Sequence, residues 1–167
     1  MSTAASLLMK CIKRGLKVND NMCKAELNNA LKLDDWYQMF KLYPEVFPDA
    51  YFRFLKANLE ESLNKGTYIY EKGVLLTWKQ YKKSTDVAAV NDFVLEKMIS
   101  KSPGNGQAQR VMDKFLDKVQ GEVCYLKVVK SNVRAICFYK KNGFKEVKSI
   151  KFGSIPGVLM KRKKKTK

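Results

Sequence analysis

The chain has 167 residues, of which 33 are lysine or arginine and 16 aspartate or glutamate, for a net charge of +17. A hydrophobic content of 46% and a charged content of 29% fit a soluble globular domain with its own core. No run reaches the ~20 apolar residues of a membrane-spanning helix. Histidine is absent, which excludes Ser-His-Asp triads and histidine metal ligands.

The four cysteines, Cys11, Cys23, Cys124 and Cys137, are far apart and form no CxxC pair. They read as reduced thiols among apolar neighbours, so no metal is expected and a reducing, cytoplasmic setting is. The segment Met1–Arg14 is basic and free of acids. It reads as a short tail leading into a first strand over Met9–Val18.

From Lys24 to Tyr43 the apolar residues Leu27, Ala30, Leu31, Tyr37 and Phe40 recur at helical spacing, and Pro44 stops the run. Pro48 suits the first position of a second helix, with Asp49 in its positive first turn. Tyr51, Phe52, Leu55, Leu59 and Leu63 give that helix its apolar face, and Asn64-Lys65-Gly66 is its expected stop. Two strand-like runs follow, Thr67–Glu71 and Val74–Tyr81, joined by the hairpin dipeptide Lys72-Gly73. A polar loop leads to an extended run within Val87–Ser100. Pro103-Gly104-Asn105-Gly106-Gln107-Ala108 then opens a helix with Val111, Met112, Phe115, Leu116 and Val119 on one face. A strand over Glu122–Val129, a helix over Asn132–Lys141 closed by Asn142-Gly143, and strands over Phe144–Ile150 and Gly157–Met160 complete the order. The helix beginning at Gln107 joins two strands that should lie parallel; the others should be antiparallel. The expected architecture is a mixed α/β layer fold around a single sheet, one domain over residues 1–160. Residues 161–167, Lys-Arg-Lys-Lys-Lys-Thr-Lys, are expected to be a solvated, disordered basic tail.

A strand, a glycine-rich turn and a helix make an anion site in physical terms. The first turn of a helix leaves N–H groups without partners, and glycine lets backbone approach a phosphate. Residues Gly104–Gln109 meet those requirements without the Gly-Lys-Ser/Thr ending of a Walker loop. After the next strand comes Asn132-Val133-Arg134-Ala135-Ile136-Cys137-Phe138-Tyr139-Lys140-Lys141-Asn142-Gly143-Phe144. This resembles the N-x-x-A-x-x-F-Y-x-K-x-G-F signature of the GNAT superfamily of acetyl-CoA-dependent N-acetyltransferases. The loop is similar to that family's pyrophosphate loop, with Gly104, Gly106 and Ala108 at its fixed places. Pro103 departs from the usual Arg or Gln, and the connection from Ile99 is a few residues short. The resemblance covers about Phe93 to Val147.

The resemblance implies the GNAT fold, a mixed central sheet, mostly antiparallel with one parallel pair, flanked by helices. It implies that the strands around Phe93–Ser100 and Glu122–Val129 splay apart to admit the pantetheine arm of acetyl-CoA. Backbone groups at Met98, Ile99 and Ser100 would pair with that arm. Gly104, Asn105, Gly106, Gln107, Ala108 and Gln109 would hold the pyrophosphate. Asn132 would bond the arm or cap the last helix. Tyr139 would give a proton to the departing CoA thiolate, or would be a core aromatic beside Phe138. With no histidine, the base that deprotonates the acceptor amine must be a carboxylate, a tyrosine or relayed water. Asp92 and Glu96 share parity on the flanking strand. Glu96, the nearer to the thioester, is the candidate base; the alternative is a surface carboxylate paired with lysine. Trp36, Tyr37, Tyr51 and Phe52 lie on the early helices, which in this family cover the acceptor. Cys124 and Cys137 have no histidine to activate them as nucleophiles.

The implied activity is direct acetyl transfer from acetyl-CoA to a primary amine, on a protein or a small molecule, through a ternary complex. Two alternatives stand beside it: a catalytically weak GNAT scaffold that binds nucleic acid or an acidic partner through its basic surface and tail, and an enzyme that uses a longer acyl-CoA.

Overall fold

The computed structural model describes residues 21–163. The strand expected over Met9–Val18 and residues 164–167 lie outside them. The described chain forms two compact units divided at Gly66.

The first unit holds α1 (Asn21–Lys41), a 3₁₀ segment (Asp49–Arg53) and α2 (Leu55–Lys65). Ala30, Leu33, Trp36, Met39 and Phe40 of α1 are buried. Leu31, expected on the same stripe, is 51% exposed; at 100° per residue it stands on the opposite side of the helix from Leu33 and Trp36. The second helix does not start at Pro48. Phe54, at φ −114° and ψ 0°, separates the 3₁₀ segment from α2. The expected stop holds: Gly66 takes φ +68°, and its N–H bonds the carbonyls of Leu63 and Ser62. The 3₁₀ segment and the loop before it close around rings, with Phe40–Phe47 centroids 5.1 Å apart and Phe47–Tyr51 4.9 Å apart.

The second unit is a sheet of six strands in the order β1-β2-β3-β4-β6-β5. The strands are β1 (Tyr68–Glu71), β2 (Val74–Gln80), β3 (Phe93–Ser100), β4 (Cys124–Val129), β5 (Lys145–Phe152) and β6 (Ile155–Arg162). Only β3 and β4 pair in parallel. The connection between them carries α3 (Gln107–Val119), and α4 (Val133–Lys141) follows β4. Lys72 and Gly73, at φ +46° and +79°, turn β1 into β2. β6 runs through Arg162, so Lys161 and Arg162 are paired with Tyr125 and Cys124 rather than belonging to a tail. The extended run expected within Val87–Ser100 is strand over Phe93–Ser100. Residues 87–92 before it form a loop, in which Thr85 Oγ1 accepts from Ala88 N–H (2.9 Å) and Asp92 Oδ2 from Ala89 N–H (2.9 Å).

One face of the sheet carries the main core. Val111, Met112, Phe115 and Val119 of α3 and Ile136 and Tyr139 of α4 pack with Leu76, Trp78, Leu95, Leu126 and Met160. Val111, Met112 and Phe115 are fully buried, each contributing about 1.5–3 kcal/mol relative to exposure. That packing fixes where α3 begins.

Candidate active site

β3 and β4 are paired only over the first three residues of each. Their register is Phe93 with Cys124, Val94 with Tyr125 and Leu95 with Leu126, and there it ends. Beyond it β3 stays paired with β2 as far as Ser100, and β4 stays paired with β6 as far as Val129. The two strands part, each held on its outer side. The cause lies in β3. Trp78 pairs with Leu95 but Thr77 with Lys97, so Glu96 is an extra residue, a β-bulge. A bulge bends its strand and increases its twist, and this one falls at the last parallel pair.

Alternation along the strands decides which backbone groups face the opening. Lys101 N–H bonds Gly73 O at 2.8 Å. Counting back by twos, Ile99 and Lys97 turn their N–H and C=O toward β2, and Met98 and Ser100 turn theirs toward the opening. Of the three residues expected to serve a ligand through their backbone, Ile99 therefore points the other way. On the opposite bank Lys130 N–H bonds Pro156 O at 3.0 Å, which leaves Lys127 and Val129 facing the opening.

α3 begins at the wide end of this wedge. Gly104 and Gly106 take φ +94° and +81°, left-handed values that L side chains rarely adopt. Gly106 is the N-cap and has no side chain to offer. Asn105 Oδ1 accepts from Gln107 N–H at 3.1 Å, so one expected donor is already used. The N–H groups of Ala108 and Gln109 have no partner within the helix, and no carboxylate sits in the first turn. The Gln109 side chain turns instead to Asn142, its Nε2 donating to Asn142 Oδ1 at 2.6 Å. Arg134, from the first turn of α4, reaches over this loop: a Cβ added to Gly104 would lie 3.7 Å from its Nη2. Asn132 caps α4, its Oδ1 accepting from Ala135 N–H at 3.3 Å. Of its two expected roles, the capping contact is the one present.

Tyr139 is buried in the core on the α3–α4 side, with Phe138 and Phe144 edge-on at 5.9 and 6.0 Å. Burial pushes its phenol well above the ordinary value, so the group stays protonated. Glu96 is on the other side of the sheet. Its Oε1 lies 3.2 Å from Lys79 Nζ and 3.8 Å from Lys97 Nζ, and its side chain is 15% exposed. Burial pulls the Lys97 ammonium below its ordinary value, against the pull of Glu96. Asp92 does not share this place; it precedes β3 and serves the loop at Ala89. Burial also pushes the Cys124 thiol up to about 12, so the thiolate a nucleophile needs does not form.

By sequence, no family model and no curated protein matches the chain. Solved structures do. A GNAT-family acetyltransferase from Bacillus cereus aligns over 80% of this chain and 92% of its own, with TM-score 0.58 at 14% identity. The histone acetyltransferase HPA2 and related acetyltransferase from Corynebacterium glutamicum aligns over 81% and 90%, with TM-score 0.59 at 16% identity. The NatC complex bound to Gag peptide and CoA aligns over 65% and 79%, with TM-score 0.54 at 14% identity. The chain has the GNAT fold.

Within the GNAT fold of this chain, three cations near the wedge escape the sequence reading. Lys79 and Lys97 meet Glu96 only because of the bulge, which depends on the partner strand and leaves no mark in the sequence. Arg134 was legible in principle, two residues after the N-cap of a helix that starts beside the glycine loop. The first unit has its own groove of about 360 Å³, lined by Tyr37, Lys41, Pro44, Phe47, Asp49 and Phe52. Tyr37 and Phe52 meet edge-on at 5.5 Å, and Lys41 and Lys56 lie 4.7 and 4.4 Å from the Tyr37 ring centre.

Proposed function

We propose that the protein is an N-acetyltransferase that moves acetyl directly from acetyl-CoA to a primary amine. The observation that carries this reading is the wedge: a bulged β3 leaves β4 after Leu95, next to a helix start with left-handed glycines and no first-turn carboxylate. A narrow arm with a diphosphate at one end fits that combination. The CoA held by a protein of the same fold adds support.

Ala108 and Gln109 N–H, with the positive end of α3, bind the diphosphate. Arg134 adds a full charge over Gly104, where Pro103 supplies none. Met98 N–H faces the wedge and stabilises charge that develops on the thioester oxygen. The amine attacks the thioester carbon, the carbon–sulfur bond breaks, and no covalent enzyme species forms. Tyr139 donates its phenol proton to the departing sulfur. Glu96, from the other face of the sheet, takes the proton released by the amine, with Lys79 and Lys97 holding its carboxylate in place. Acid and base thus address the thioester from opposite sides. The cations around Glu96 favour an amine carried on an acidic molecule, such as an acidic protein. The cell compartment proposed is the cytoplasm.

The test is a pair of measurements. Acetyl-CoA at about one hundred times its dissociation constant should stabilise the chain by roughly 2.7 kcal/mol; no thermal shift removes the acetyl-CoA reading. Tyr139→Phe should lower turnover by about 10²–10⁴ while sparing that shift; unchanged turnover removes Tyr139 from the proton path.

A further inference from the structure

Residues 127–163 contain eleven lysines and arginines and a single glutamate. They form the end of β4, α4 and the β5–β6 ribbon, and that ribbon is the outer edge of the sheet. An ordinary edge strand buries every second side chain. In β5 all but Ile150 are exposed, whereas the middle of β6 is buried, so it is the edge strand of the ribbon that offers both of its faces.

The register shows how its charge is arranged. Lys145 stands directly opposite Lys161. Among the described residues neither meets a carboxylate, and Lys161 leans over the Tyr125 ring at 5.5 Å. Like charges directly opposite cost stability. On the other face Lys130 and Lys151 flank Pro156, one bonded through its backbone and one in register. The one glutamate, Glu146, is engaged by Lys140 at 3.6 Å. Lys148 is paired with Asp86 at 3.1 Å, and Lys130 Nζ donates to Ser149 Oγ at 3.3 Å. Lysines on an edge strand also deter edge-to-edge pairing, but that purpose needs no lysine on β6 or after β4. Among these charges Phe152, 39% exposed, lies across Gly157, where an added Cβ would meet the ring at 2.9 Å or less. One side of the ring is thus packed and the other is open. The sequence continues from this ribbon into Lys164, Lys165 and Lys167.

We infer that the β5–β6 ribbon is a docking surface for single-stranded nucleic acid, with lysines on both faces meeting phosphates and the open side of Phe152 stacking a base. Flexible point charges suit phosphates without reading sequence, and an aromatic plane among them suits an unpaired base. This site is apart from the wedge and does not depend on acetyl transfer.

The experiment uses the full chain and two fluorescein-labelled probes, an oligouridylate and the matching oligothymidylate, with anisotropy followed against salt. Affinity should fall linearly in log-log form, with a slope of about −0.7 per phosphate contact. The double variant Lys145→Gln, Lys151→Gln should weaken binding and flatten the slope by about 1.4. Phe152→Leu keeps the packing on Gly157; it should weaken binding several-fold and leave the slope alone. An equal loss for both probes assigns the site to single strands generally, and a loss for one alone assigns it to RNA or to DNA. Wild-type affinity in the lysine double variant overturns the proposal, as does loss only on removal of residues 164–167. Polyglutamate competing as well as oligouridylate also overturns it, since the partner is then an acidic protein. Circular dichroism of each variant guards against loss of the fold.

Discussion

The two helices that follow the parallel strands begin in opposite ways. α4 starts with Asn132, whose side chain satisfies Ala135 N–H at 3.3 Å. α3 starts with Gly106, which has nothing to give, on a loop whose glycines sit at φ +94° and +81°. A helix end wants its free N–H groups met, and a side-chain cap is worth about 1 kcal/mol. α4 is closed by its own chain. α3 keeps Ala108 and Gln109 N–H open beside the wedge, with the guanidinium of Arg134 overhead. The difference separates a helix start closed by its own chain from one left open, the start proposed to hold the diphosphate.

Substitutions can break that contrast. The largest effect should come from Ala108→Glu. A carboxylate in the first turn of α3 should stabilise the unliganded protein by roughly 0.3–1 kcal/mol through the helix dipole. It should also weaken acetyl-CoA binding on the order of a hundredfold, because like charges meet. Calorimetric titration reads the second and thermal melting the first. If affinity survives, the α3 start does not hold the diphosphate. Arg134→Ala should come next, with about tenfold weaker acetyl-CoA binding from one lost charge-assisted contact. An unchanged dissociation constant would leave its place over Gly104 without a purpose. Asn132→Ala should have the smallest effect on the ligand. It should lower stability by about 1 kcal/mol in urea melts while acetyl-CoA affinity stays nearly constant. A large loss of affinity would show that Asn132 reaches the ligand, and the two helix starts would then be alike.

Much of the second unit was legible because its elements are marked locally. Lys72-Gly73 marks a hairpin, Asn142-Gly143 follows a helix end, and Val111, Met112, Phe115 and Val119 recur at helical spacing. The parallel pairing of β3 and β4 followed from a helix between two strands. The face of α1 was less legible: Leu27 and Leu31 look as apolar as Leu33, and only burial of Trp36 and Met39 shows which side turns inward. The break at Phe54 rests on backbone angles that no residue type demands. In the site, Asp92 and Glu96 share parity on paper, but strand parity holds only while the strand is regular. Asp92 lies outside β3 and Glu96 is the extra residue within it. Ile99 is assigned by hydrogen-bond alternation, which a sequence cannot phase without the partner at Gly73. The helix start after the glycine loop and the place of Tyr139 on α4 were readable because each stands in a fixed spacing. Lys97 was not, because its burial depends on strands far away in the chain.

The bulge in β3 is a matter of number and not of chemistry. One residue more than β2 can match lies between Leu95 and Lys97, and any side chain at that point would keep the count. The gap between β3 and β4 is therefore tolerant of substitution at position 96 and intolerant of deletion there. Loss of a single codon would place Lys97 directly after Leu95, as Thr77 already stands beside Trp78, restore a regular ladder with β2 while every later side chain of β3 kept its present surface, and let the two strands zip shut. Reading frame within the strand, more than the identity of any residue in it, keeps the cleft open.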